Sequence, residues 1–340
     1  MNLRNASFVA IALFVSAGNL CAQNAATVVR VGYFPNITHS QALVGKATGK
    51  FDAALAPAAR IDWKEFNAGP SVIEALFAGA LDLAYVGPNP ATAGYMRSRG
   101  AALRVVAGAT SGGASLVVRP GAGIKDANDF HGKRIATPQL GNTQDVAFRV
   151  WLRAHGLAPR EKGGDVQVIP IANPDQLTLF LEGEIDGAWA PEPWASRLVH
   201  EAGGRIFLDE RDLWPNHQFV AAVVIARTEF LQQHPDLVKK FIGTHVELTN
   251  WINKNPDETK RILNDEIRRE TSKALPADVL NDALSRLEVT YDPLRSALLH
   301  AAQQAYDLGF LGKGPQDFSG LFDLKLLNEV LVEQKARPIQ

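Results

Sequence analysis

Four short stretches of this 340-residue chain gather groups suited to holding a small anion: PNITHS (35–40), GPNPA (87–91), TSGGAS (110–115) and QLGNTQ (139–144). They supply hydroxyls, amides, one imidazole and several glycines, but no Lys or Arg. Some of these groups sit where a helix is expected to begin. Asn89 before Pro90 reads as an N-cap, and Asn142 with Asp145 three residues on approximates a capping box for a helix from Thr143. First-turn N–H groups lack intrahelical partners and carry partial positive charge, so facing helix N-termini can hold an oxyanion without a side-chain cation. A sulfonate or nitrate stays ionised at any ordinary pH, and neutral donors suffice for it. The candidate ligand groups are Asn36, His39, Gly87, Asn89, Ser111, Gly113, Ser115, Asn142, Thr143 and Gln144. Several have a structural alternative: Asn89, Asn142 and His39 as caps, and Gly113 with its neighbour Gly112 as turn residues with positive φ.

A repeat supplies three more candidates. LFAGALDLAYVGPNPA (76–91) and FLEGEIDGAWAPEPWA (180–195) share Gly-x-x-Asp-x-Ala-aromatic followed by a proline-containing turn. Gly79, Asp82, Ala84, Tyr85 and Asn89-Pro90 are answered by Gly183, Asp186, Ala188, Trp189 and Glu192-Pro193. Each unit reads as a helix closed by Gly, a short buried strand and a turn that opens a new helix at a proline. Two such units in separate halves of the chain predict two similar lobes whose strand ends face each other across a cleft. Trp189 and Trp194 flank the second turn and can pack on the apolar part of a ligand. Glu192 in the cleft would repel a simple anion and suit an aminated one; turned back, it caps the helix at Pro193.

Positioning these groups requires the elements around them. VVRVGYF (28–34), RIDWKEF (60–66), DLAYVG (82–87), LRVVAGA (103–109) and ASLVVRP (114–120) read as strands, the last two joined by the Gly-rich TSGG loop. After Pro120 the pattern restarts with GKRIATP (132–138), a helix from Thr143, DVQVIPI (165–171), a second helix and DGAWA (186–190). FVAAVVIAR (219–227) is expected to return to the first lobe, and 235–331 is expected to be helical. The fold class is therefore α/β: two mainly parallel sheets, two crossovers near 117–120 and 218–220, and C-terminal helices. The lobes are expected at 27–118 plus 219–340 and at 119–218.

The chain opens with Arg4, an apolar run over 6–15 and small residues ending at Ala22, which reads as a secretory signal and places the mature chain outside the cytoplasm. The single cysteine, Cys21, falls inside it. Cleavage after Ala22 would leave no disulfide, thiolate nucleophile or Cys-ligated metal. With 35 basic and 36 acidic residues, net charge points to neither nucleic acid nor anionic membrane. The eight histidines are scattered, without HExxH, and no Ser sits in G-x-S-x-G. A binder with no catalytic residues, metal or cofactor is expected rather than an enzyme.

The run FNAGPSVIEALFAGALDLAYVGPNPA, following VGYFPNITHSQALVGKATGKF, resembles the periplasmic solute-binding proteins of ABC importers for nitrate, sulfonates and taurine. The resemblance implies the two-lobed periplasmic-binding-protein fold (type II) with a two-strand hinge. It implies delivery of a small anionic or zwitterionic solute to a membrane permease and its ATPase, and the mature chain is expected to be a monomer. Sulfonate, taurine or sulfate ester is the expected cargo, and APEPW is closer to nitrate and bicarbonate relatives. A ligand-sensing module would use the same box. A thiamine-pyrimidine-precursor enzyme of this fold would carry a cysteine-rich motif, which has no counterpart here.

Overall fold

Apolar, β-branched runs with helices on either side of them make the central strands, and their order is the same in both lobes. The computed structural model describes residues 26–314 and 316–339, so the expected export segment 1–22 lies outside the described residues. In the first sheet β1 (Thr27–Tyr33) pairs in parallel with β2 (Ala59–Glu65) and β3 (Leu83–Val86). β4 (Leu103–Gly112) follows in sequence but lies farther out in the sheet. In the second sheet β5 (Ala114–Val118) adjoins the parallel group β6 (Arg134–Thr137), β7 (Gln167–Pro170) and β8 (Gly187–Pro191), with β9 (Arg205–Asp209) at the edge. The chain then returns through β10 (Val220–Arg227) and β11 (Leu287–Val289), both in the first sheet. The orders are β11-β4-β10-β3-β1-β2 and β7-β6-β8-β5-β9.

Both sheets are mixed rather than mainly parallel. β10 runs antiparallel to β3 and β4, and β5 runs antiparallel to β8 and β9. The reason is the pair of crossings: the strand that enters each lobe from the other arrives against the direction of the βαβ series. The first crossing also falls earlier than 117–120. β5 belongs to the second sheet, and the chain passes between lobes at Gly112 (φ 77°) and Gly113 (φ 82°), a left-handed pair that side chains rarely adopt. At the return, Phe219 and Ala221 pack in the second lobe's core, and Val220 and Ala222 in the first lobe's.

Each sheet has an apolar core on both faces, which makes two three-layer lobes. The repeated Gly-x-x-Asp units fix the corresponding strands. Asp82 Oδ2 accepts from Arg30 N (2.9 Å) and Arg30 Nε (2.8 Å), while Arg30 Nη1 donates to the Gly79 carbonyl (2.5 Å). Asp186 Oδ2 accepts from Arg134 N (2.9 Å) and Nε (3.3 Å), while Arg134 Nη2 donates to the Gly183 carbonyl (2.7 Å). The helices over 235–333 cover the first sheet, and the Ala277–Ser285 helix packs on the second lobe's Trp194–His200 helix.

Candidate functional site

The helices that follow the parallel strands point their N-termini into the space between the lobes. From the first lobe come the Gly69–Phe77 and Pro88–Arg97 helices; from the second come Thr143–Ala154 and Asn173–Glu182. A cavity of about 30 Å³ lies where they meet. Phe34, Asn36, Thr38, His39, Asn67, Gly69 and Gly87 line it from one side, and Pro138, Asn142, Thr143, Gln144, Asn173 and Pro191 from the other. Among the described residues its lining includes no Lys, Arg, Asp or Glu. Positive potential there comes from helix ends and oriented amides.

The N-terminus at Thr143 is the most rigidly held. Asn142 Oδ1 accepts from Asp145 N (2.9 Å), and its Nδ2 donates to Gln144 Oε1 (2.9 Å). Buried Asp145 accepts from Thr137 Oγ1 (3.1 Å), Gly141 N (2.8 Å) and Arg149 Nε (3.0 Å), which pins the loop ahead of the helix. With Asp145 N–H capped, the first-turn N–H groups of Thr143 and Gln144 remain. Thr143 Oγ1 is buried without a partner. It rests against Gly87 so closely that a Cβ built there would lie 2.2 Å from it. Gly87 has an ordinary φ of −69°, so glycine is required by this inter-lobe approach and not by its backbone conformation.

His39 is a neutral donor. Its Nδ1 accepts from the Phe34 N–H (3.0 Å), which leaves the ring proton on Nε2. Burial pushes its pKa down to about 3. Asn36 Oδ1 accepts from Trp194 Nε1 across the cleft (3.0 Å), so the lobes are drawn together at this edge.

The remaining sequence candidates lie elsewhere. The helix expected at Pro90 starts at Pro88, the earlier proline, with Gly87 as N-cap. Asn89 is therefore inside the first turn, and its Nδ2 donates to the Ala301 carbonyl (3.3 Å). TSGG is not a loop: Ser111 is paired within β4, Ser115 lies in β5, and Gly113 is the hinge, its N–H bonded to the Arg286 carbonyl (2.9 Å). Trp189 is second-lobe core, donating from Nε1 to buried Glu210 (2.8 Å). Trp194 lines a neighbouring outer pocket. Glu192 takes its capping alternative, Oε2 accepting from Ser196 N (3.0 Å) with Oε1 3.6 Å from Arg286 Nε. Burial, only partly offset by the Ser196 hydrogen bonds and Arg286, raises its pKa to about 7. Asn67, Gly69 and Asn173 were missed in the sequence reading; the AGP and ANP helix-start patterns were the available signals.

The profile of the NMT1-like family matches residues 22–264, more than half of the chain. The chain belongs to the NMT1-like family. This NMT1-like protein is 26% identical over 199 residues to the taurine-binding periplasmic protein of Escherichia coli K12, an alignment spanning 58% of the chain and 59% of the relative's length. It is 25% identical over 169 residues to the nitrate/nitrite binding protein NrtA of Nostoc, spanning 49% of the chain and 37% of NrtA. Among solved structures, the alkanesulfonate-binding protein SsuA of Xanthomonas axonopodis bound to MOPS superposes with a TM-score of 0.68 at 22% identity, covering 89% of this chain and 97% of SsuA. The nitrate-binding protein NrtA of Synechocystis superposes with a TM-score of 0.75 at 16% identity, covering 91% and 89%. At these identities the superpositions establish a shared two-lobed α/β fold. The relatives are binding proteins for small solutes.

Proposed function

We propose that this protein is the solute-binding component of an ABC importer. It captures a small oxyanion, a sulfonate, taurine or sulfate ester, between its lobes and presents it to a membrane permease. The observation that carries this reading is the meeting of four helix N-termini at a cavity whose described lining is free of charged side chains. Fixed dipoles and neutral donors hold an anion that stays ionised, and they need no counter-charge when the site is empty. His39 is poorly suited to general-base work, because its Nδ1 lone pair is committed to Phe34 N–H. Binding without turnover, by an exported monomer whose lobes close on the ligand, fits these groups best. Nitrate is the second reading, favoured by the small volume of the cavity.

A thermal-shift series over taurine, alkanesulfonates, sulfate esters, sulfate, nitrate and bicarbonate tests the proposal. A ligand at a hundred times its dissociation constant stabilises by about 2.7 kcal/mol. At least one oxyanion should raise Tm by several degrees with no product released. A flat response to all of them, or consumption of the bound compound, contradicts the proposal.

A further inference from the structure

A second pocket of about 420 Å³ adjoins the anion cavity and shares Asn36, Asn67 and Asn173 with it. Unlike that cavity it carries charged side chains, the carboxylates of Glu65 and Glu270 together with Arg197 and Lys273. Two side-chain oxygens on its lining are buried and have no hydrogen-bond partner: Glu270 Oε2 and Asn173 Oδ1. The Glu270 side chain is only 5% exposed and Asn173 is 4% exposed, so neither atom is satisfied by bulk water. A buried acceptor left unpaired costs about 1–3 kcal/mol, more if charged, and a ligand that brings a donor recovers that loss.

The cations nearby are already engaged. Lys46 donates to Glu270 Oε1 (2.5 Å) and to Tyr33 (2.8 Å), and lies 3.0 Å from Glu266. Arg197 and Lys273 both pair with Glu201 at 2.7 Å. Glu65, at the end of β2, adds a second carboxylate to the lining. Partial desolvation, and then the negative charge of Glu270, holds its pKa above the ordinary carboxylate range. Trp194 supplies an apolar wall.

We infer that this outer pocket is a cation subsite, in which Glu65, Glu270 and Asn173 receive a primary ammonium carried on a short apolar chain from the oxyanion. The ligand class is thereby a zwitterion, an aminoalkyl oxyanion whose negative end sits among the helix N-termini and whose positive end faces the carboxylates. Wall residues Asn36, Asn67 and Asn173 touch both ends. The inference rests on the proposed oxyanion site and adds the second charge.

Calorimetric titration of the exported protein with taurine and with ethanesulfonate, which differ by the amine, separates the two ideas; nitrate and sulfate serve as further probes. The protein should prefer taurine by at least tenfold. Glu65→Gln should collapse that ratio toward one. Glu270→Gln should do the same, its fold being checked by circular dichroism because Glu270 also holds Lys46. A protein that binds ethanesulfonate as well as taurine, or binds nitrate most tightly of all, overturns the cation subsite and leaves the oxyanion site standing. A taurine preference unmoved by both variants overturns the assignment of these carboxylates. If no oxyanion binds, the proposed function fails and this inference with it.

Discussion

Asp82 and Asp186 occupy matching places in the two lobes and make matching bonds, but the turns beyond them diverge. Each carboxylate accepts the backbone N–H of the arginine on the neighbouring parallel strand, and each meets a second arginine at the end of the incoming antiparallel strand or just past it, Arg227 at 3.0 Å and Arg119 at 3.4 Å. The first set is tighter and drier, with side-chain exposures of 1% for Asp82 and 13% for Asp186. Past the strands, Gly87 opens a full helix against the second lobe, whereas Pro191-Glu192-Pro193 turns a buried carboxylate away from the cleft. The shared part of the repeat therefore builds the lobes. The divergent part sets what each turn presents to the other lobe: Gly87 lies against Thr143, while Glu192 caps its own helix.

The carboxylate staples give the largest expected effect. Breaking a buried ion pair by removing one partner costs roughly 3–5 kcal/mol, so Asp82→Ala should lose that much in urea unfolding. The more exposed Asp186→Ala should lose about 1–3 kcal/mol, because water replaces part of the missing bond. Equal losses would mean that the difference in burial between the two carboxylates carries no energy. Burial alone would raise both carboxyl pKa values, but the hydrogen bonds from Arg30 and Arg134 outweigh it and hold both below the ordinary range. Their contribution is thus full above the unfolded-state carboxylate pKa and is lost as pH falls through the depressed folded values.

Gly87→Ala tests the first lobe's turn. Its backbone tolerates alanine, but the added methyl meets Thr143 Oγ1 at 2.2 Å when the lobes are together. Ligand affinity should fall ten- to a hundredfold, about 1.4–2.7 kcal/mol, with Tm of the free protein little changed. In a Thr143→Ala background the same substitution should cost much less, because the Thr143 Cβ would be 3.4 Å away. Additive losses in the double variant would show that the contact is not what limits closure.

The corresponding turn of the second lobe gives a smaller, pH-dependent effect. Buried Glu192 has its pKa raised to about 7, so the fold favours the protonated form. Its contribution is full below the unfolded-state pKa and declines as pH rises through about 7. Glu192→Gln should flatten the dependence of Tm on pH between 5 and 8 and leave the variant the more stable one at pH 8, by about 1–2 kcal/mol. A variant that is less stable than the parent at pH 8 would mean that the ion pair with Arg286 outweighs burial.

Much of this arrangement was legible as pattern. The Gly-x-x-Asp repeat predicted two similar lobes, and N-cap chemistry at Asn142 predicted the helix start. What the pattern could not convey was direction. Asn89 has the right type for a ligand but faces Ala301, and Glu192 caps a helix, because side-chain facing depends on packing partners far away in sequence. Strand partners were equally hidden: nothing local in ASLVVRP reveals that β5 pairs with β8 and β9. The two glycines before it read as a loop, since φ > 0 serves a hinge and a turn alike. Asn67 and Asn173 line the cavity from opposite lobes, a juxtaposition set by tertiary packing rather than by local pattern.

In the proposed site, helix ends and neutral donors, rather than surface cations, hold the charge. Calorimetry of the parent protein and Thr143→Ala against the best-binding oxyanion, repeated from 20 to 500 mM salt (roughly 20 to 4 Å of screening length), tests it most directly. The variant should lose on the order of 1.5–3 kcal/mol, the range for a hydrogen bond to a charged group, and affinity should stay nearly constant across the salt series. Normal binding by Thr143→Ala together with affinity that falls steeply with salt would contradict it.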